Sequence, residues 1–552
     1  MGSTTLTSFL QSLAVVLLSV VFWTYVKRRS SKATVALQNI PGPESRSWWK
    51  GNFEESLSPA TGTEYQRRLL KEFDPVVRLD GMMGDKVLYL YDPKAMHHVL
   101  VKDQALFERT NVPASGLMFG KGLGGITGEA HRKQRKALNP VFSIAHMRDM
   151  LPIFYDVIHK LEQGLTSRLQ NGNGPQEVEM LSWASRTAFE LIGQAGLGYS
   201  FDTLTDEANA HPYTKVMKDV VPTTARMHKT RYFLPIALKL GTPKLRRWIM
   251  NMLPLNELHR MRDISDYLWA FSKQLYRGKL QALRDGDEAV AQQVGKGKDV
   301  MSILIKLNLE ANDEDRLEED EVLGQMSLLM FAAMDTTSSA LARTFHLLAM
   351  HPEVQDKLRQ ELLEAQQNNA DIPYDQLVSL PYLDAVCRET LRLFSPVPYV
   401  LRHAKQDTVL PLSTPIKGVD GTTMSEIHVP QNTRVVISVL NSNRHAAIWG
   451  PDALEWKPER WLSPLPDELI EAHVPGVYSH LMTFNAGGRS CIGFKFSQLE
   501  MKALLSLIVA KFKFEPSKKE IVWVFNDIIS PTVKGEDNRR SQMPMFVSSV
   551  EE

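Results

Sequence analysis

Between Phe484 and Gly493 the chain reads Phe-Asn-Ala-Gly-Gly-Arg-Ser-Cys-Ile-Gly, setting one of only two cysteines in 552 residues among three glycines and an arginine. The loop holds no second Cys and no His, so it cannot assemble the four-ligand shell of zinc or an iron–sulfur cluster. A haem, whose macrocycle supplies four nitrogens, needs only one thiolate. On that reading Gly487 and Gly493 leave room for a flat macrocycle, Gly488 relaxes the turn, and Arg489 reaches a propionate through a charge-assisted bond. Apolar residues at Phe494, Leu499, Met501, Leu504 and Leu505 predict a helix directly after Cys491, whose N-terminal dipole favours the ionised sulfur. The competing reading is a cysteine that packs as a small hydrophobe; Cys387 fits it.

Other elements must position such a centre. From Val322 to Ala349 apolar residues recur at Leu323, Met326, Leu329, Met330, Ala333, Ala340, Leu341, Leu347 and Leu348, a spacing that predicts a long helix buried on more than one face. Into its middle the sequence inserts Asp335-Thr336-Thr337, polar groups that cost stability in an apolar interior. A threonine hydroxyl can bond the carbonyl one turn back and bend the helix. Such a bend opens a groove for dioxygen, with Asp335 and Thr336 placed to relay protons. In isolation the triplet would read as a helix cap; its place inside the helix favours chemistry. On a second predicted helix, bounded by Pro381, Pro396 and Pro398, Glu389 and Arg392 share a face at i and i+3.

The spacing of Phe484, Gly487, Arg489, Cys491 and Gly493 resembles the haem-binding signature of cytochrome P450 monooxygenases, and five fixed positions rarely agree by chance. Ala332-Ala333-Met334-Asp335-Thr336-Thr337 resembles the family's oxygen-activation segment, with Ala333 where glycine is more usual. The resemblance makes Glu389 and Arg392 a buried scaffold locked to Arg460 of Pro458-Glu459-Arg460-Trp461. Gly128 to Arg135 resembles the helix that carries a Trp-x-x-x-Arg pair, with His131 in place of the tryptophan. His131, Arg135 and Arg402 are thereby implied as haem partners beside Arg489 and Phe484. A surface histidine is the plainer reading of His131.

The net charge of +1 excludes a nucleic-acid binder held by a basic field. Two cysteines exclude a disulfide framework and point to a reducing compartment. Residues 2–26 carry no charge, and Phe9 to Val26 is barely long enough to span a bilayer as a helix. Lys27, Arg28, Arg29 and Lys32 follow at once, which places the rest of the chain in the cytosol. A cleaved signal peptide would carry positive charge before the apolar run, and this chain has none there. The expected organisation is a short tail (1–8), a transmembrane anchor (9–26), a basic and Pro-rich linker (27–45) and a catalytic domain (46–552). Pro41-Gly42-Pro43 resembles the hinge of membrane-bound P450s, and the polar stretch Arg284 to Lys298 is expected to form a mobile surface loop.

The resemblance implies a mainly α-helical P450 fold with small sheets, haem b between the two helices, and monooxygenation of a lipophilic molecule at an endoplasmic reticulum membrane. No dinucleotide fingerprint is present, so NADPH acts only indirectly, through cytochrome P450 reductase, with cytochrome b5 as a second donor. Arg132, Lys133, Lys136 and Lys495 are the expected docking surface. Met118, Phe119, Met326, Met330, Val397, Tyr399, Val400 and Ile529 are the expected pocket residues. The wording of the chain resembles fungal secondary-metabolism P450s that oxidise terpenoids or steroids. A haem-thiolate isomerase or dehydratase, and a non-catalytic membrane-tethered haem or lipid binder, remain as alternatives.

Overall fold

The computed structural model describes residues 32–110, 112–170, 174–205, 211–227, 234–366, 370–536 and 541–550. The expected anchor at 9–26 lies outside them; among the described residues no helix is long and apolar enough to cross a membrane.

The helical body is built around the central helix Glu319–Met350. Its start is fixed by a capping box, in which the Glu318 side chain accepts from the Glu321 N–H and the Glu318 N–H donates to Glu321 at 2.9 Å. Glu319, Asp320 and Glu321 in the first turn complement the helix dipole. Apolar groups on several faces then let it run through the largest core cluster, against helices Met180–Leu191, Asn256–Asp285 and Pro381–Leu393.

A five-stranded sheet forms the second region, in the order Val76–Asp80, Lys86–Leu90, Arg434–Ser438, Tyr399–Ala404, Phe107–Arg109. Lys86–Leu90 and Arg434–Ser438 are parallel, the other neighbours antiparallel, and the last pair sets Arg109 opposite Arg402.

Two expectations need correction. The Pro41–Pro43 segment is neither helix nor strand, yet it is no free hinge. The Pro41 carbonyl accepts from the Arg78 N–H at 2.9 Å, and a Cβ on Gly42 would lie 1.9 Å from the Arg78 oxygen. Leu37 and Ile40 belong to a buried cluster, so the described part of the linker packs as part of the domain. The stretch Arg284 to Lys298 is not an open loop: helix Asn256–Asp285 runs into it, helix Asp287–Ala291 follows, and turns complete it.

The expected scaffold is present and larger than its three named residues. Arg392 gives two bonds to Glu389, at 2.7 and 2.8 Å, and both side chains are 0 % exposed. Glu389 also accepts from Arg460 Nε (3.3 Å), Trp461 Nε1 (3.0 Å) and the Lys457 N–H (3.1 Å). Arg392 Nη1 donates to the carbonyls of Asn443 and Ala453, and Nη2, besides its bond to Glu389, donates to that of Glu455. Asn443 carries the network onward: its Oδ1 accepts from the Met482 N–H at 2.8 Å and its Nδ2 donates to Thr483 Oγ1 at 2.9 Å. Thr483 in turn donates to the Leu391 carbonyl at 2.7 Å. Met482 and Thr483 lie in strand Leu481–Ala486, which leads into the cysteine loop. Removing one partner of a buried pair strands the other charge, so Glu389→Ala is expected to cost about 3–5 kcal/mol. Urea unfolding measures it, with loss of the cysteine-loop geometry following.

Candidate active site

The cysteine loop is bent by its own backbone and pinned by a neighbour. The Cys491 N–H donates to the Phe484 carbonyl at 2.8 Å and the Ser490 N–H to the Gly487 carbonyl at 3.0 Å. Gly487 sits at φ +62°, where a Cβ would lie 1.9 Å from the Leu100 oxygen. Its smallness therefore serves contact with the Leu100–Gln104 segment, a constraint the sequence did not signal. The Gly488 N–H donates to Gln104 Oε1 at 3.0 Å, a partner the sequence did not signal. Gly493 has only a Phe142 ring carbon within 4.0 Å of its would-be Cβ, which leaves room there.

Helix Phe494–Lys511 begins three residues after Cys491, as expected. Burial pushes the Cys491 thiol up, against the Gly493 N–H and Arg135, which favour ionisation. Ionisation therefore falls to a bound metal, because a coordinating thiol is deprotonated outright. Cys491 nevertheless keeps accessible surface. Ala332 of the central helix is accessible too, and because the Thr337–Ser497 contact joins the two helices, the two accessible surfaces are read as the sides of one cleft.

Cations crowd this cleft. Burial lowers the pKa of Arg402 to about 10, with Arg109 and Arg489 adding repulsion; Arg489 is held at about 10 by burial and by Arg109 and Arg135. Burial and the same three arginines, Arg489, Arg135 and Arg109, hold buried His131 down at about 4, a neutral imidazole. The side chain of Arg109 makes no hydrogen bond or ion pair among the described residues, and burial lowers its pKa too. Sequence reasoning missed Arg109; only its pairing opposite Arg402 brings it in. Arg489 also donates to the Ile126 carbonyl at 2.9 Å. Arg135 is turned to the cysteine loop, donating to the Ser490 carbonyl and, at 3.2 Å, to its hydroxyl.

This donor set fits a haem. Among the described residues no group of three or more His, Cys, Asp or Glu could hold a metal, so a single sulfur needs a ligand set brought by a macrocycle. Buried guanidinium groups short of carboxylates suit two propionates. Cys491 would hold the iron, and Arg109, Arg402, Arg489 and His131 the acidic edge.

On the opposite wall Thr336 Oγ1 donates to the Ala332 carbonyl at 2.7 Å, the back-bond expected at the groove. Thr337 Oγ1 meets Ser497 Oγ at 3.3 Å, tying the central helix to the cysteine helix. Asp335 has no side-chain hydrogen bond among the described residues; burial raises its pKa to about 6 against the pull of Lys218. Lys218, on helix Pro212–Lys218, is a second residue the sequence did not flag.

The expected pocket residues divide. Met118, Val397 and Val400 keep partial exposure, whereas Phe119, Met326, Met330 and Ile529 are closed into core clusters. The Phe119 and Phe331 rings pack at a tilt, 4.9 Å between centres. Tyr399 and Val400 project from opposite faces of their strand. Tyr399 packs against Phe525 and bonds Asp527 at 3.3 Å, and Val400 joins a different cluster.

Residues 41–535 match the family model for cytochrome P450. The chain belongs to the cytochrome P450 family. It is 53% identical over 516 residues to cytochrome P450 monooxygenase 91 of Postia placenta, covering 93% of this chain and 94% of that one. A ganoderic acid synthetase of Ganoderma lucidum is 42% identical over 538 residues, 96% and 97% of the two chains. A P450 monooxygenase of Hericium erinaceus is 38% identical over 547 residues, 97% of each. The protein is thus a P450 monooxygenase similar to these fungal enzymes, and the mainly helical fold with small sheets is that of the family.

The raised Asp335 pKa makes a testable contribution to stability. The folded state keeps this proton above the pH at which the unfolded chain (pKa 3.8) loses it, so stability falls as pH rises toward about 6. Asp335→Asn lacks that penalty. Between pH 5 and 7 the wild type should lose about 1.4 kcal/mol relative to Asp335→Asn, read from urea midpoints at each pH.

Proposed function

We propose that this P450 oxidises a lipophilic small molecule of terpenoid or steroid type, using dioxygen and electrons from NADPH passed by a membrane-bound flavoprotein reductase. The observation that carries the reading is that accessible Cys491, with its cations, and the accessible Ala332–Thr336 turn lie on elements held together at Thr337 and Ser497. When bound, haem b supplies an iron that activates dioxygen, with the thiolate favouring O–O cleavage.

The chain's residues supply the rest. Thr336 presents a hydroxyl oxygen beside the cleft while its proton is held by the Ala332 carbonyl; breaking that bond frees a donor. Asp335, with a pKa near neutrality, can exchange a proton at working pH. A likeness to a ganoderic acid synthetase supports a role in fungal secondary metabolism.

Electrons would enter on the cysteine side. Of the four cations expected to dock the reductase or cytochrome b5, Arg132 faces Glu129 at 3.7 Å and Lys136 pairs with Asp315 at 2.7 Å. Lys133 and Lys495 make no ion pair among the described residues, so they are the stronger docking groups.

The full chain with reductase, NADPH, isotopic dioxygen and a lipophilic metabolite extract tests the reaction. A product carrying one labelled oxygen, with NADPH consumed, is expected; unlabelled product without NADPH consumption would indicate an isomerase or dehydratase. Thr336→Ala should lower coupling and raise peroxide.

Residence at the endoplasmic reticulum membrane, with the catalytic domain in the cytosol, is the second part of the proposal. It is supported by helix Pro243–Met252, which has no buried residue. Leu245, Trp248 (59 % exposed) and Met252 (65 %) recur along one face, and Leu240, Leu253 and Leu255 extend the patch. Residues 234–256 carry Lys239, Lys244, Arg246 and Arg247 and no acid. An apolar face with basic flanks lies in an anionic lipid surface. With brominated lipids in the bilayer, tryptophan quenching should occur and should diminish in Trp248→Phe; equal quenching in both would remove this helix from the interface.

A further inference from the structure

Beyond its reacting residues the central helix carries a second stripe, Ser339, Arg343 and His346, spaced i, i+4, i+7 along one face. All three grip one hairpin, Ile521–Val524 paired with Ser530–Val533. Ser339 Oγ donates to the Ile529 carbonyl at 2.6 Å. The Arg343 guanidinium lies 3.4 Å from the centre of the Trp523 ring and 4.2 Å from that of Phe394. Trp523 Nε1 donates to His346 Nδ1 at 3.1 Å.

Arg343 makes no ion pair or hydrogen bond among the described residues; its Nε is buried without a partner, and the nearest charge acting on it is the like charge of Arg444. A cation so placed is tolerable because an aromatic face on each side replaces its solvent. Its work is therefore to clamp Trp523 against Phe394. His346 is held at about 4 by burial and by Arg343, so Nδ1 remains an acceptor at neutral pH.

The grip reaches the cleft. The Ile529 N–H donates to the Pro396 carbonyl at 2.9 Å, immediately before half-buried Val397. Ser339 lies three residues beyond Thr336, a rise of about 4.5 Å. The Phe525–Ile529 turn is thus bolted next to the reacting centre from one side and to the Pro396–Val400 wall from the other.

We propose that Ser339, Arg343 and His346 are positioning residues that fix the Phe525–Ile529 turn over the cleft and so determine how bulky a ligand the cleft accepts. The proposal rests on the haem-thiolate reading given above.

Titration of the full-length holoprotein with two iron-ligating probes, imidazole and clotrimazole, tests it. Imidazole is too small to reach the turn; clotrimazole is bulky. Arg343→Met keeps the length and removes the cation. It should leave the red-shifted carbon monoxide band and the imidazole Kd unchanged while shifting the clotrimazole Kd about tenfold, with Arg343→Lys partly restoring it. General damage would move both probes together and would overturn the proposal, as would an unchanged clotrimazole Kd. If Arg343→Met does not load haem, the Ser339→Ala/His346→Ala double variant takes its place. There too an altered clotrimazole Kd with unchanged imidazole binding is expected, and unchanged clotrimazole binding overturns the proposal. Absence of the imidazole shift in the wild-type holoprotein overturns the haem-thiolate reading instead, and the positioning role with it.

Discussion

The Glu389 carboxylate has no access to water and is solvated entirely by protein, with five donors from Arg392, Arg460, Trp461 and the Lys457 backbone. A buried ion pair adds little net stability against an apolar replacement. What this one contributes is direction. The same guanidinium also captures three backbone carbonyls, and through Asn443 the network reaches the strand that ends in the cysteine loop. The position of Cys491 is therefore set by a chain of bonds that begins about a hundred residues earlier on a different helix.

The central helix does two mechanical jobs from adjacent stripes. Ala332 and Thr336 face the cleft, while Ser339, Arg343 and His346 face the hairpin. Both surfaces move with one rigid element, so the wall that meets a ligand and the groove that receives oxygen share a reference frame. The charges are distributed unevenly around it: uncompensated arginines gather near Cys491, and across the cleft a buried carboxyl near neutrality is balanced by Lys218.

The helix around Asp335, the Glu389 scaffold and the Cys491 loop were legible because each depends on local spacing. Periodicity gave the helix, and i to i+3 placed Glu389 beside Arg392. Arg109, Gln104, Asn443 and Lys218 were not legible, because each acquires its role through a partner hundreds of residues away or on another element. The buried polar run Asn441-Ser442-Asn443 after an apolar strand was the one available hint, since such groups must find partners. Gly487 was expected to clear space for a macrocycle, and the Leu100 backbone is a further neighbour that excludes a side chain there, one that spacing alone could not name. Tyr399 and Val400 were both expected at the pocket from the family resemblance of their segment, and the two-residue period of a strand separates them. At Cys491 the helix dipole favours the thiolate and burial opposes it, so the thiolate expected there depends on the iron it would bind.

The many-donor environment of Glu389 also bears on how such a protein can change over generations. Any single replacement there leaves several groups unpaired at once, so no path of small steps leads away from it. The walls lined by Val397 and Val400, only partly enclosed, lose little when exchanged one at a time. Such a chain is free to explore new ligands by drift in its walls while its metal-holding loop stays frozen by epistasis.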